Sequence, residues 1–300
     1  MRALNISDTA LFELLTLRAK AYFELVKFRL SALVTFSAAF GFILGDSGTF
    51  FSWGSFVALI IGGFLITGAS GAANEILERD YDKLMKRTQN RPLPLNQISL
   101  QEAYWFTFIV GFTGIGILWL FTNPLTTALG VLSMILYIFV YTPLKRVGPI
   151  AVFVGAIPGA MPPLLGWTAA TGMIGHEALI LFGIQFIWQF PHFWAIAWVS
   201  DEDYKKAGFK LLPSGGKKDL NTAIQIMIYT LFLLPLGLLP TYFGLTGLNS
   251  GIVATVCGVL FLAQTFSHMR DCSRKSALKI MFGSFLYLPI VQIAYLLDKI

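Results

Sequence analysis

Residues 54–82 have the sequence GSFVALIIGGFLITGASGAANEILERDYD, in which an apolar segment runs directly into a cluster of acids. A helix needs roughly 17 to 25 apolar residues to cross the hydrocarbon of a bilayer. Ionisable side chains are costly near a bilayer, so acids gathered at one membrane edge indicate a functional site. The stretch therefore predicts a membrane-spanning helix with polar chemistry at its end.

The rest of the chain has the composition of a polytopic membrane protein. Of its 300 residues, 56% are hydrophobic and 13% are charged, whereas soluble domains are roughly 25% charged. We predict an all-α fold with nine transmembrane helices around a central cavity open toward the cytoplasmic side. The predicted spans are 27–45, 54–74, 102–121, 125–142, 149–171, 178–199, 221–243, 250–267 and 279–297.

The basic residues predict the orientation in the membrane. All of the 22 Lys and Arg residues except Lys299 fall in the N-terminal segment or in loops on one side, and loops rich in Lys and Arg face the cytoplasm. We predict a cytoplasmic segment over 1–26 and a single transmembrane domain over 27–300. Residues 1–26 resemble neither a secretory signal nor a transit peptide, which favours a bacterial inner membrane. The net charge of +6 follows from these loops and does not indicate nucleic-acid binding.

The acidic run predicts a metal-diphosphate site. If the helix continues through it, Asn74, Glu78 and Asp82 lie on one face, Glu75 lies at its edge and Asp80 points to the opposite side. Mg²⁺ prefers a few carboxylates together with waters and substrate phosphates. This stripe of oxygen ligands is therefore suited to a diphosphate that arrives with its metal.

A second acidic cluster, Asp201-Glu202-Asp203, ends the sixth predicted span and repeats this pattern. In each half of the chain a Lys-rich loop follows the acids and contains a similar four-residue segment, Arg91-Pro92-Leu93-Pro94 or Lys210-Leu211-Leu212-Pro213. Internal symmetry of this kind commonly places a site between the halves. We therefore expect the two clusters to face each other.

Basic and aromatic residues near the first cluster are candidates for diphosphate binding. Lys86, Arg87 and Arg91 follow the stripe, and Arg binds phosphate oxygens bidentately, although taken alone these are ordinary cytoplasmic-loop residues. Tyr141 and Lys145 share a helical face, where Lys145 could neutralise a leaving diphosphate and Tyr141 could donate a hydrogen bond to it. The alternative is a lipid-facing aromatic beside a snorkelling lysine.

The acidic run and a histidine in the sixth predicted span each have an ordinary structural explanation as well as a functional one. The acidic run could be a solvated helix end paired with Arg79 or Lys83. His192, in Pro191-His192-Phe193-Trp194 of the sixth span, could be either a structural hydrogen-bonding residue or a ligand.

Several motifs together resemble the UbiA-type intramembrane prenyltransferases. The family's first aspartate-rich motif has the pattern Asn-Asp-x-x-Asp-x-x-x-Asp, which residues 74–82 and the following KRTQNRP of 86–92 resemble. Residues 141–145, YTPLK, resemble its Tyr-x-x-x-Lys motif. Glu75 and Glu78 stand where the general pattern has Asp, and Asp80 is additional. The segments 158–167, 191–194 and 202–208 resemble the branch of the family that modifies haem, so that the resemblance extends from about 25 to 295.

The resemblance implies transfer of a farnesyl group from farnesyl diphosphate to a vinyl group of haem B, which forms haem O and releases diphosphate. It implies Mg²⁺ as the cofactor and requires no protein nucleophile. The implied metal ligands are Asn74, Glu75, Glu78, Asp82 and Asp203. The implied catalytic residues are Asn74, Glu78, Asp82, Tyr141 and Lys145. The implied substrate-binding residues are Lys86, Arg87, Arg91, His192, Glu202 and Asp203.

The expected partners follow from this activity. They are haem B and farnesyl diphosphate as substrates, the lipid bilayer, and haem-copper oxidase assembly proteins or haem A synthase, with no nucleic acid. One alternative is a related membrane prenyltransferase that acts on a quinone precursor or a chlorin. A transporter or lipid-binding membrane protein is the alternative from another class, but its acids should lie deeper in the spans.

Overall fold

The predicted set of spans is confirmed. A computed structural model describes residues 8–48 and 51–300, and within them nine helices are long and apolar enough to cross a membrane. These spans are α2 (Phe28–Gly45), α3 (Trp53–Asp82), α4 (Leu100–Phe121), α5 (Pro124–Leu144), α6 (Ile150–Thr171), α7 (His176–Val199), α9 (Leu220–Tyr242), α10 (Leu248–Asp271) and α11 (Arg274–Leu297).

Two further helices of at least six residues lie outside the spans among the described residues. They are α1 (Asp8–Leu25), which precedes α2, and the short α8 (Asp201–Lys206), which carries the second acidic cluster. The first seven residues of the predicted N-terminal segment, with Arg2, lie outside the described residues, and the division at 26/27 stays a prediction.

Local sequence signals set where the spans begin and end. Ser99 and Glu102 form a reciprocal capping box at the start of α4, which satisfies N–H groups that have no partner inside the helix. α6 ends at Thr171 and is followed by Gly172, whose φ of 76° is the left-handed conformation that suits glycine. α10 and α11 are longer than predicted, and only two residues separate them. The Ser273 side chain accepts a hydrogen bond from the Ser276 N–H and so caps the start of α11.

Proline does not break α6, because neighbouring helices satisfy the carbonyl groups that it frees. Pro163 has no N–H to donate to the Gly159 carbonyl one turn earlier. Gln185 of α7 donates to that carbonyl instead, at 2.8 Å, and accepts a hydrogen bond of 3.1 Å from Gln292 of α11. α6 therefore tolerates Pro163 because side chains of α7 and α11 support this part of the span.

The first acidic cluster stays within a regular helix. α3 runs unbroken for 30 residues to Asp82, as the predicted stripe requires. The turn between α1 and α2 packs against this helix where it has glycine. A Cβ on Gly68 would lie 3.1 Å from Val26 Cβ, and one on Gly71 would lie 3.3 Å from Lys27 Cδ. The small residues before the stripe therefore admit a close neighbour, which is the turn between α1 and α2.

Candidate active site

The acidic stripe on α3 is buried. Asn74, Glu75, Glu78 and Asp82 are each at most 3% exposed. Asp80 is 74% exposed at its side chain and pairs with Lys83 at 2.9 Å. The predicted separation of faces is confirmed. The alternative interpretation of the acids as a solvated helix end holds for Asp80 alone. Buried carboxylates need partners, because an isolated charge away from water is costly.

Two of the predicted basic residues supply partners to the acids. The Lys145 ammonium lies 3.0 and 3.1 Å from the two carboxylate oxygens of Glu78. Arg91 spans two acids, with Nη1 at 2.8 Å from Asp82 Oδ2 and Nε at 3.6 Å from Glu75 Oε1. Burial disfavours the charged form of both bases, but the neighbouring acids outweigh it, so that the pKa values of Lys145 and Arg91 are raised. Both side chains are therefore firmly charged.

A third base, Lys27, was not predicted as a site residue. Its ammonium donates to Asn74 Oδ1 at 3.0 Å and lies 3.9 Å from Glu75 Oε1. Burial and then the charge of Arg91 lower the pKa of Lys27 to about 8, because Glu75 compensates only in part. In the sequence, nothing distinguishes Lys27 from the many other basic residues at membrane edges. The glycine at position 71, one turn before Asn74, is the sequence signal that could have located a close neighbour there.

The second acidic cluster meets the loop that follows the first. Asp203 accepts hydrogen bonds from the backbone N–H groups of Lys86 at 3.3 Å and Arg87 at 3.2 Å. Burial would raise the pKa of Asp203, but these hydrogen bonds and the nearby Lys206 lower it. The structure thus joins the two halves at this point, as the repeated pattern predicts. Asp203 acts on the loop rather than on the stripe.

The other members of this region lie at the rim of the site. The side chains of Lys86, Arg87 and Glu202 are exposed. The Arg87 guanidinium lies 5.8 Å from the centre of the Tyr204 ring. Asp201 is buried and turns toward its own loop, where it pairs with Lys205 at 2.8 Å and Lys218 at 3.3 Å. Lys86 and Arg87 therefore place positive charge at the exposed rim of the site.

Tyr141 lies on the same face as Lys145, as predicted. The ammonium of Lys145 lies 4.7 Å from the centre of the Tyr141 ring, and Lys145 is only 9% exposed, which rules out the snorkelling alternative. Tyr141 ends a π-helical turn, Leu136–Tyr141, a feature frequently found at functional sites. A Cβ on Gly155 would lie 2.5 Å from the ring, so glycine is required opposite Tyr141.

His192 lies inside the membrane span, apart from the acids. Its Nδ1 is 2.8 Å from Ser284 Oγ of α11, and its ring stacks on Trp188 with 4.4 Å between ring centres. The end of α7 is roughly 10 Å further along the helix axis. The structure therefore does not bring His192 together with the acidic stripe.

The site fits a Mg²⁺ ion that binds together with phosphate. Among the described residues, no three Asp, Glu, His or Cys side chains lie close enough to hold one metal ion, because Lys27, Arg91 and Lys145 stand between the acids. Three buried oxygens of the acids, Glu75 Oε2, Glu78 Oε1 and Asp82 Oδ1, have no hydrogen-bond partner. Of these, Glu78 Oε1 has the Lys145 ammonium beside it at 3.0 Å. The donors are all oxygen, and Mg²⁺ usually takes one or two carboxylates and fills its other positions with waters and phosphates. The five ligands expected from the sequence are thus not assembled by the protein alone.

The described residues form nine helices that can cross a membrane, with a buried acidic stripe between basic loops, and this arrangement suits an intramembrane prenyltransferase. The model of the UbiA prenyltransferase family matches residues 33–288, and the chain belongs to this family. A relative from Cytophaga hutchinsonii named protoheme IX farnesyltransferase is 53% identical over 281 residues, which are 94% of this chain and 98% of that protein.

Two solved structures show the same fold. One is described as digeranylgeranylglyceryl phosphate synthase, with a TM-score of 0.78, 19% identity and coverage of 94% of this chain and 98% of the other. The other is a UbiA homolog from Archaeoglobus fulgidus bound to GPP and Mg²⁺, with a TM-score of 0.62, 16% identity and coverage of 92% and 99%.

Proposed function

We propose that this protein transfers a farnesyl group from farnesyl diphosphate to a vinyl group of haem B, forming haem O and diphosphate. The likeness to the Cytophaga protein carries the proposal, since it covers nearly the whole of both chains. The buried acids and their basic partners supply the chemistry. The Cytophaga relative supports a bacterial inner membrane, and the basic loops support an orientation with the N-terminus and the site on the cytoplasmic side.

The bases of the site bind the diphosphate. Lys86 and Arg87 at the rim meet it first, and Arg91 and Lys145 then exchange part of their contact with the acids for phosphate oxygens. Mg²⁺ held through Asn74 and the acids of the stripe would neutralise charge on the leaving diphosphate. Lys145 would support the same charge, since it is buried and electrostatic interactions are stronger away from water.

The aromatic faces beside Lys145 suit the cationic part of the reaction. The Tyr141 ring already faces an ammonium group at 4.7 Å, and ring faces attract cations. Once Lys145 turns to the diphosphate, the same face stabilises positive charge on the farnesyl carbon as its C–O bond breaks. The terminal vinyl carbon of haem B then bonds to that carbon, which leaves positive charge on the adjacent vinyl carbon. Water adds there and loses a proton to the released diphosphate, so that a hydroxyl group remains.

His192 is the proposed haem contact. Ser284 Oγ donates its own proton to the Met281 carbonyl at 2.6 Å, so the hydrogen bond to His192 requires Nδ1–H to donate. The Nε2 lone pair is then available for iron. His192→Ala should weaken haem B binding and shift its absorption spectrum. Unchanged spectrum, affinity and turnover would remove this assignment.

The test of the function is a mass spectrum. Purified protein in detergent is incubated with haem B, farnesyl diphosphate and Mg²⁺, beside a sample with a chelator, and the porphyrins are extracted. A haem that has gained farnesyl and water, absent with chelator, supports donor, acceptor and metal together. Unchanged haem, with protein shown to be folded, would overturn the assignment of haem B as the acceptor. Quinone precursors and chlorins are then tested as acceptors.

The product also indicates its consumers. A farnesylated haem partitions into the bilayer, because each buried CH₂ adds about 0.8 kcal/mol. The next protein to use it must therefore accept it from the membrane. Haem A synthase or a haem-copper oxidase assembly protein is proposed for that role, and co-purification from detergent-solubilised membranes tests it.

A further inference from the structure

The ammonium group of Lys27 lies inside the acidic stripe, on oxygens that a metal would use. It donates to Asn74 Oδ1 at 3.0 Å and is 3.9 Å from Glu75 Oε1. Its backbone is left-handed, with φ 50° and ψ 53°, and its side chain packs over Gly71. The turn before α2 therefore delivers this charge to the stripe from outside α3.

We propose that Lys27 holds the metal position closed until diphosphate arrives, which makes Mg²⁺ binding depend on diphosphate. This inference rests on the proposed function, in which the stripe binds Mg²⁺ with a diphosphate. Lys27 is a positioning residue in this proposal, since it acts through the oxygens of Asn74 and Glu75.

The charges of the site support this assignment. A divalent ion and an ammonium group repel each other strongly within a few ångströms in a partly buried site, so both cannot use Asn74 Oδ1 and Glu75 Oε1. A diphosphate offers Lys27 another anionic partner, and the freed oxygens can then join the metal. The unpartnered Glu75 Oε2 and Asp82 Oδ1 are available to the same ion.

Lys27 differs from the other two bases of the stripe. Arg91 and Lys145 each contact carboxylate oxygens at 3.0 Å or less, whereas the nearest carboxylate oxygen to Lys27 is 3.9 Å away. Lys27 therefore has the weakest ion pairing and is the base most readily drawn onto an incoming phosphate. A substrate-free protein built in this way does not retain free divalent metal.

The experiment is equilibrium dialysis of purified protein in detergent against Mn²⁺, alone and with inorganic diphosphate, with bound metal counted. Wild type should hold little Mn²⁺ alone and much more with diphosphate. Lys27→Met should bind Mn²⁺ alone at least about tenfold more tightly than wild type, because the competing charge is gone. Its dependence on diphosphate should shrink accordingly.

Three further variants make the result decisive. Lys27→Gln, which can still donate to Asn74, should show the same gain if Lys27→Met fails to fold, and Lys27→Arg should show none. Lys83→Met, which removes a charge paired with the exposed Asp80, should match wild type. Equal or weaker Mn²⁺ binding in both uncharged variants overturns the inference, while the mass spectrum of haem products judges the proposed function separately. Wild type that binds no metal even with diphosphate would count against both.

Discussion

Glu78 and Lys145 form a buried ion pair in which one ammonium group contacts both carboxylate oxygens. Removing one partner of a buried pair leaves an uncompensated charge, at a cost of about 3–5 kcal/mol. The proposed function gives this pair a catalytic role when diphosphate is bound, in addition to its structural role when none is. A double substitution can separate these two roles.

Lys145→Met should lower turnover by about 100- to 1000-fold, the usual effect of losing one charge-stabilising donor. It should also lower thermal stability, because Glu78 is left unpaired. Adding Glu78→Gln should restore the unfolding temperature but not the turnover. Arg146→Met serves as the control, since Arg146 contacts the Tyr81 ring and the Leu77 carbonyl. Restored activity in the double variant would contradict the catalytic role.

Helical periodicity predicts the residues of the stripe but not those that reach it from elsewhere. Asn74, Glu78 and Asp82 share a face because of their spacing, and the same spacing correctly excludes Asp80. Lys27 reaches Asn74 across 47 residues of sequence, and its approach depends on a left-handed turn. No periodic pattern encodes such a contact.

At the scale of elements, length and hydropathy predict the spans, whereas their internal irregularities depend on packing. The predicted span 125–142 is confirmed as part of α5, but the π-helical turn at Leu136–Tyr141 leaves no signal in an apolar sequence. The prolines of α6 are visible in the sequence. Their partners on α7 and α11 are identified only once the helices are packed.

Gln185→Leu tests how α6 tolerates proline. The substitution removes the donor to the Gly159 carbonyl and the acceptor for Gln292, and an unsatisfied buried group costs about 1–3 kcal/mol. We expect a lower unfolding temperature in detergent with little change in metal binding. Gln264→Leu is the matched control, because Gln264 Oε1 is buried without a hydrogen-bond partner and its loss removes that penalty. An equal loss of stability in both variants would argue against a special role for Gln185.

For the whole molecule, the internal repeat predicts that the halves meet at the site, and they meet through Asp203. The expected symmetry of two metal-binding clusters is only partly realised, because the first cluster points inward and the second fixes a loop. The two clusters differ because the helix before the first cluster continues through its acids, whereas the helix before the second ends ahead of them. α3 continues regularly through its acids, whereas α7 ends at Val199 and the separate short helix α8 carries Asp201–Asp203.

Asp203→Asn tests whether this contact between the halves positions the loop of Lys86 and Arg87, to which the proposed function assigns diphosphate binding. An amide has one acceptor oxygen where the carboxylate uses two for the N–H groups of Lys86 and Arg87, so these amides should exchange faster with deuterium. KM for farnesyl diphosphate should rise several-fold, with a smaller change in kcat.

The pKa of Asp203 is lowered in the fold, so the contact stays intact above the ordinary pKa of a carboxyl group. It is lost as pH falls through the depressed value, and Asn should remove that pH dependence. Asp80→Asn, an exposed acid paired with Lys83, should change none of these properties. Unaltered exchange at Lys86 and Arg87 in Asp203→Asn would show that the loop is held by other contacts.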